Sequence, residues 1–165
     1  MTATVSPENF RKASGQWATG VSIVTTVDPA GVPFGLTMNS VTSLSLEPPL
    51  YLVNVDNGSD TLPPMLASRT FCINVLGEDQ EDLSNRFAKK GTDKFDDVDY
   101  TPGPETGAPR LAASLMSIDC RITTVHEGGD HQIVIGEVVE IVTDGNDGPR
   151  KPLLYYGGRY ARLKD

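Results

Sequence analysis

Four short stretches gather most of the side chains in this chain that could hold or transform a ligand. The first, Thr37-Met38-Asn39-Ser40-Val41-Thr42-Ser43-Leu44-Ser45, gives six of nine positions to Thr, Asn or Ser, ahead of Leu46-Glu47-Pro48-Pro49 and the apolar run Leu50-Tyr51-Leu52-Val53. Hydroxyl and amide groups on a sheet-forming backbone present many short hydrogen-bonding atoms on a rigid frame, which suits a flat polar heterocycle. The same residues equally describe a polar edge strand that ends in a proline turn. The second stretch, Asn54-Val55-Asp56-Asn57-Gly58-Ser59-Asp60-Thr61, is a turn running from a strand end into a helix start, where backbone N–H groups and two hydroxyls could hold a phosphate. An ordinary helix cap uses the same residues.

The third, Ser84-Asn85-Arg86-Phe87-Ala88-Lys89-Lys90, is the densest basic cluster of the chain. It could neutralise an anionic ligand near Arg86, although complementing a helix dipole accounts for its lysines as well. The fourth, Gly129-Asp130-His131-Gln132, is a hairpin turn that sets an imidazole at the start of an alternating strand, either as a surface residue or as a functional one. There is no Gly-x-Ser-x-Gly elbow, no Gly-x-x-x-x-Gly-Lys-Ser/Thr phosphate loop and no Gly-x-Gly-x-x-Gly opening a helix. With His126 and His131 as the only histidines and no cysteine cluster, a zinc centre is not expected. If the chain is an enzyme, a cofactor is expected to carry its reaction.

The elements that must position these stretches read as a β-rich fold. Ser6-Pro7-Glu8 is an N-cap, first-turn proline and acidic first turn, with Phe10, Ala13 and Trp17 near one helical face. Residues 21–27 and 32–36 flank Asp28-Pro29-Ala30-Gly31 as a hairpin. Residues 50–55 and 70–76 are further strands, linked by a short helix whose Pro63 and Pro64 fit only a first turn. Asp79 to Asp82 open another helix, with Leu83 and Phe87 four apart and Lys89, Lys90 and Gly91 closing it. Residues 91–109, rich in Asp, Gly and Pro, are expected to form one long loop, and 115–125, 132–142 and 153–163 the last strands. A small antiparallel barrel fits this order better than a doubly wound sheet.

A chain of 165 residues with 38% hydrophobic content supports one core. Its formal charge of −8 argues against nucleic acid and against anionic membranes as partners. Neither a membrane-length apolar run nor the charged and apolar regions of a signal peptide occurs, so a cytoplasmic location is expected. Cys72 and Cys120 each sit in an apolar run and are expected to be buried, reduced thiols. Asn57-Gly58-Ser59 matches a glycosylation acceptor formally, but without a secretory signal it reads as a turn.

Taken in order, the four stretches resemble the flavin reductase-like family, the short-chain reductases that supply reduced flavin to two-component monooxygenases. The resemblance is also carried by Phe10-Arg11-Lys12-Ala13, Ala18-Thr19-Gly20-Val21, Phe71-Cys72-Ile73-Asn74-Val75-Leu76, Lys94-Phe95 and Pro152-Leu153-Leu154-Tyr155-Tyr156-Gly157-Gly158-Arg159-Tyr160. It implies a mainly β fold with short helices, an antiparallel FMN-binding split β-barrel, as one domain over residues 1–165. It further implies a homodimer with FMN or FAD near the interface, NADH or NADPH as hydride donor, and an oxygenase that receives the reduced flavin. A flat ligand near the surface would gain shielding from water under a second subunit.

Carried over by motif, Thr37, Met38, Asn39 and Ser40 would line the isoalloxazine edge. Asn54, Asp56, Ser59 and Thr61 would approach the ribityl chain and phosphate, with Arg86, Phe87 and Ala88 near the phosphate or its adenylate extension. His131, as the catalytic residue, with Tyr155, Tyr156 and Arg159, would correspond to the region over which the nicotinamide dinucleotide lies. Met38 stands where small residues such as Ala are familiar, so flavin fit is expected to differ. Gly157 and Gly158 are expected to loosen the nicotinamide side. Two other functions stay open: a flavin-binding split barrel without reductase activity, and a pyridoxamine-phosphate-oxidase-like enzyme, against which the scarcity of basic residues for a second phosphate counts.

Overall fold

The structure, a computed structural model, describes residues 5–91, 93–143 and 150–164; the ends of the expected 1–165 domain and one position of the expected 91–109 loop lie outside these. Helix α1 (Pro7–Ser14) and strand β1 (Thr19–Gly20) precede β2 (Ser22–Val27), β3 (Pro33–Met38), β4 (Val41–Leu46) and β5 (Pro49–Asp56). Helix α2 (Leu62–Ser68), β6 (Thr70–Val75) and α3 (Glu81–Phe87) follow. The chain continues through β7 (Tyr100–Pro102), β8 (Pro109–Leu111), β9 (Met116–Gly128), β10 (His131–Thr143), β11 (Leu154–Tyr156) and β12 (Arg159–Ala161). Among the described residues no helix is long and apolar enough to cross a membrane.

Seven strands form one antiparallel sheet in the order β3, β2, β6, β9, β10, β5, β4. Its two edge strands are consecutive in the chain, joined through Asn39 and Ser40. The sheet therefore curls until its edges meet at that link, where Asn54 N–H donates to Ser40 O at 3.1 Å. Because the link and not a ladder joins β3 to β4, the barrel is split. The expected mainly antiparallel β fold with short helices is what forms.

Local chemistry explains the elements. Ser6 Oγ accepts from Asn9 N–H at 3.2 Å to cap α1, with Pro7 in its first turn. Asp28 Oδ1 accepts from Ala30 and Val32 N–H at 2.9 and 2.8 Å, which fixes the hairpin between β2 and β3. The central strands bury both faces: Val24 joins the barrel interior with Val53, Val55, Met65, Phe71 and Ile73, while its neighbour Ile23 faces a second cluster with Leu76, Phe87 and Leu153.

Four expectations need correction. The 37–45 run is not one strand: Thr37 and Met38 end β3, and Val41 to Ser45 belong to β4, so the ligand-wall and edge-strand readings describe different halves of it. Residues 91–109 are not a single loop, since β7 pairs with β8. Asn74 holds that ribbon, its Nδ2 donating to Pro109 O at 3.2 Å and its Oδ1 accepting from Leu111 N–H at 2.8 Å. Buried Asp119 holds it too, taking Thr106 Oγ1 at 2.9 Å and pairing with Arg110, which also pairs with Glu140. Residues 153–163 are two strands, not one: Gly157 and Gly158, at φ 61° and 78°, make a two-residue turn between β11 and β12. That hairpin adds to β1 as a separate three-stranded sheet. Finally, Trp17 lies beyond α1, which contributes no buried residue, and Lys89 and Lys90 lie beyond the C-cap Ala88 of α3.

Cys72 and Cys120 are free and buried. Burial, then the nearby Asp119 carboxylate, pushes the Cys72 thiol well up and the Cys120 thiol up to about 12, so both stay protonated and unreactive.

Candidate functional site

The end of β3, one face of α3 and the β11/β12 hairpin enclose a cavity of about 600 Å³, lined by Thr37, Met38, Asn39, Glu81, Asn85, Ala88, Tyr155, Arg159 and Tyr160. A few hydrogen bonds set its shape. Thr37 Oγ1 donates to Ser84 O at 2.6 Å, which ties β3 to α3. Tyr160 Oη meets Ser84 Oγ at 2.8 Å and donates to Asn85 Oδ1 at 3.1 Å, which ties the hairpin to the same helix. The Tyr155 and Tyr160 rings meet edge to face at 5.7 Å. Tyr156 reaches the other way, its hydroxyl donating to Gln16 Oε1 at 3.2 Å beyond α1.

The rim retains polar groups that the protein does not satisfy. Among the described residues no acceptor receives the backbone N–H of Asn39 or Ser40, while Ser40 Oγ donates to Asn54 O at 3.1 Å. Thr19 Oγ1 is buried without a partner, on the strand position opposite Tyr155. Buried polar atoms are normally paired, so Thr19 Oγ1 is an orphan, whereas exposed Asn39 and half-buried Ser40 keep N–H groups open to solvent that a ligand can replace. Two adjacent donors next to an aromatic wall fit the polar edge of a flavin ring.

A second polar region continues from the first. Asp56 Oδ1 accepts from Gly58 N–H at 2.6 Å, and Ser59 Oγ from Thr61 N–H at 3.2 Å, shaping the turn before α2. Past Ala88, Lys90 Nζ donates to Gly58 O at 3.1 Å and Gly91 N–H to Asp60 Oδ2 at 3.2 Å, so the segment after α3 joins cavity to turn. Lys94 Nζ, itself buried, bridges Asp60 at 3.4 Å and Gly35 O at 2.9 Å. Burial pushes the Asp60 carboxyl up, but the Gly91 hydrogen bond and the Lys94 ammonium outweigh it and hold that group below its ordinary range.

His131 stands at this turn and not in the cavity lining: it pairs with Asp56 across the ladder, and the hairpin tip bonds to Asn57 through Asn57 N–H to Asp130 O at 3.0 Å. Its Nδ1 lies 2.7 Å from Asp130 Oδ1, and that hydrogen bond holds the exposed Asp130 carboxyl below its usual range. Within one chain the structure thus groups His131 with Asn54, Asp56 and Ser59, apart from Tyr155 and Arg159, with which the family resemblance groups it.

The other expected residues divide. Thr37, Met38, Asn39, Ala88, Tyr155 and Arg159 meet at the cavity. Met38, although a lining residue, also belongs to the buried core. Phe87 is fully buried, edge to face with Phe95 at 4.9 Å, and Thr61 is fully buried too, its N–H and C=O both bonded within the protein, so neither residue presents a surface to a ligand. Arg86 turns away, donating through Nη1 to Asp96 O at 2.7 Å. Gly157 and Gly158 do not loosen the hairpin: their positive φ values are what its turn requires, and Gly157 N–H anchors it to Gly15 O at 2.7 Å. From the sequence Glu81 had only a helix-opening part, and Asn85 and Tyr160 were named only within longer stretches, without a place of their own at the site. Glu81, Asn85 and Ala88 fall at i, i+4 and i+7, a helical face that the cap and charge pattern had obscured.

A slightly larger cavity, about 720 Å³, lies near Tyr100, Arg110, Ser114 and Arg150. Its arginines are engaged by Asp119 and Glu140 and by Asp79, which leaves it less suited to an anionic ligand.

Comparison with known proteins agrees with this geometry. The family model described as a flavin reductase like domain matches residues 14–164. The reductase subunit HsaB of a flavin-dependent monooxygenase from Mycobacterium tuberculosis is 42% identical over 164 residues, covering 99% of this chain and 86% of that protein. An NADH:riboflavin 5′-phosphate oxidoreductase from Streptomyces pristinaespiralis is 40% identical, covering 92% of this chain and 85% of that one. Among solved structures, the NADH:FAD oxidoreductase SgcE6 of Streptomyces globisporus superposes with a TM-score of 0.89 at 36% identity, covering 100% of this chain and 99% of that chain.

Proposed function

The chain belongs to the flavin reductase-like family, and from that premise we propose that it is an NADH-dependent flavin reductase that passes reduced FMN or FAD to a partner monooxygenase. The observation that carries this reading is the rim of the cavity, where the N–H groups of Asn39 and Ser40 remain unpaired beside the Tyr155 wall and the Arg159 guanidinium. When bound, the flavin supplies N5 as acceptor for the hydride that leaves nicotinamide C4. The chain's own residues then have to orient, shield and supply charge more than move protons.

In this reading Asn39 and Ser40 N–H bind the ring edge, with Thr37 and Met38 behind them. Asn54 and Ser59 lead the ribityl phosphate along the turn that Asp56 shapes, with buried Thr61 supporting it from behind. Ala88 borders the ring, buried Phe87 packs behind it, and Arg86 acts only by fixing the segment through Asp96. Tyr155 and Tyr156 shape the nicotinamide side, and Arg159 brings positive charge that favours the electron-rich reduced ring. His131 serves from the turn end, with Nδ1 engaged by Asp130 and Nε2 left for the ligand. NADPH is a second donor to be tested beside NADH.

The chain is further proposed to act as one domain over residues 1–165, in the cytoplasm and as a homodimer. Support for the dimer comes from β4, an edge strand whose Leu46 is 97% exposed and Leu44 46% exposed. Sizing at working concentration is expected to give twice the chain mass, and a monomer throughout would remove this part. For the activity, the purified chain is mixed in turn with FMN or FAD and with NADH or NADPH, and loss of nicotinamide absorbance is followed. Turnover dependent on added flavin is expected, and no acceleration with any combination would overturn the assignment.

A further inference from the structure

The cavity beside Thr37 carries two opposite charges that do not meet. Glu81, the first residue of α3, and Arg159, the first of β12, are its only charged lining residues among those described. They form no ion pair with each other, and among the described residues neither pairs with another charged side chain. Solvent meets both in the free protein, and a ligand that fills the cavity takes the place of that solvent and lowers the dielectric constant around them. The helix explains where Glu81 lies. Glu81 and Ala88 share one face of α3, about 10 Å apart along its axis at 1.5 Å per residue. Ala88 is the end nearer the Asp60 turn, through Lys90 and Gly91, and the Tyr160 hydroxyl meets the helix between the two at Ser84 and Asn85. Glu81 therefore stands at the end of the cavity away from the turn. Its simplest account is dipole complementation, since Glu81 and Asp82 form the acidic first turn of α3. Asp82 serves the dipole equally well from outside this cavity, so the dipole does not explain why a carboxylate lines it.

We propose that Glu81 is a catalytic residue for hydride transfer, its carboxylate stabilising the positive charge that develops on the nicotinamide ring. The proposal rests on the reductase reading of the cavity. In that reaction the C4–H bond of the dihydronicotinamide breaks, the hydrogen leaves with both electrons, and an N–H bond forms at flavin N5. The donor ring, neutral before, becomes a pyridinium cation, and the flavin ring gains one negative charge. Two neutral rings gain little from a nearby ion until transfer begins, so a carboxylate on the donor side and a guanidinium on the acceptor side act mainly on the transition state. One unpaired anion and one unpaired cation in the same cavity match that separation of charge. Arg159 alone answers only its negative half.

The first measurement needs no turnover. Protein saturated with FMN is titrated with NAD+ and with the tetrahydro analogue of NADH, whose ring is neutral and yields no hydride. The two ligands share every other group, so the ratio of their dissociation constants isolates the charge on the ring. In Glu81→Gln the constant for NAD+ is expected to rise about tenfold at low salt, while that for the analogue stays within about twofold. Glu81→Asp, which keeps the charge on a shorter stem, is expected to recover most of that difference. Equal weakening of both ligands would make Glu81 a residue that only shapes the cavity, and no weakening of either would put its charge out of reach of the ring. Each of these results overturns the proposal.

The second measurement follows single turnovers of FMN against NADH concentration. In Glu81→Gln the limiting rate is expected to fall about tenfold with half-saturation by NADH little changed, because the neutral donor ring binds without help from the charge. A rise in half-saturation at an unchanged limiting rate would assign Glu81 to ground-state binding and overturn the proposal. A wild-type chain that oxidises no NADH with any flavin removes the reductase reading and this proposal together. Wild-type turnover that Glu81→Gln matches in rate removes this proposal alone.

Discussion

The interior beneath β8 and the rim around Thr37 are built from similar polar residues and treat them in opposite ways. Beneath β8, Asn74 gives or takes hydrogen bonds with Ile23, Thr25, Pro109, Leu111 and Ser117, and Asp119 is matched by Thr106 and Arg110. At the rim, the backbone N–H groups of Asn39 and Ser40 and the cation of Arg159 find no protein partner among the described residues, and neither does the Thr19 hydroxyl opposite Tyr155. A satisfied buried network fixes one arrangement of the chain, because each lost partner strands another group. The rim's groups are mostly exposed and met by solvent, which a ligand can displace at little cost to the fold, so the first region is read as scaffold and the second as site.

The sharpest way to break that contrast is at Asn74. Asn74→Ala is expected to cost about 3 kcal/mol or more, since it strands the Leu111 N–H and the Ser117 hydroxyl and frees the β7/β8 ribbon. Urea unfolding measures it, and activity per folded molecule is expected to survive in dilute denaturant. Arg159→Ala is the mirror image: its unfolding midpoint is expected to stay within about 0.5 kcal/mol of wild type, while kcat/KM falls about tenfold to a hundredfold. If Arg159→Ala unfolded the protein while Asn74→Ala spared its stability, the two regions would have to exchange roles.

Legibility in the sequence followed the same division. The hairpin at Asp28, the helix entered through Pro63 and Pro64, and the turn at Gly129 were legible because each depends on residues adjacent in the chain. The β7/β8 ribbon was not, because it is held by Asn74 and Asp119, whose partners lie tens of residues away and leave no local pattern. The break in 37–45 was hidden for a related reason: every residue from Thr37 to Ser45 suits a strand, and only the meeting of the barrel's edges places Asn39 and Ser40 outside one. At the site, the polar run pointed to Thr37 and Asn39, and the family resemblance to Tyr155 and Arg159. It could not show that Arg86 turns toward Asp96 or that His131 sits across from Asp56, since both follow from side-chain direction and register.

A smaller effect sharpens the contrast at the hairpin that carries Tyr155 and Arg159. Gly157→Ala and Gly158→Ala each place a Cβ on a backbone with positive φ, at a cost of about 1 kcal/mol, although neither Cβ would meet another atom within 4 Å. Because β1, β11 and β12 form a sheet apart from the barrel, the strain is expected in KM more than in the unfolding midpoint. Steady-state kinetics beside thermal melts would show this, and a fall in melting temperature without change in KM would tie the hairpin to the scaffold instead.

Asp60 lies between the two regions: it belongs to the turn beside the site, yet its carboxylate is engaged by Lys94 and Gly91 N–H as in the scaffold. Its folded-state pKa is depressed below the ordinary value of 3.8, so it contributes stability that is whole above about pH 4 and is lost as pH falls through the folded value. Asp60→Asn is therefore expected to be slightly less stable at neutral pH, with the gap to wild type closing below about pH 4, a small effect because the group is partly exposed. Urea midpoints at several pH values read this directly. If instead the gap is flat with pH and flavin affinity falls, the Asp60 carboxylate serves the ligand through the turn, and the boundary between scaffold and site runs on the far side of Lys94.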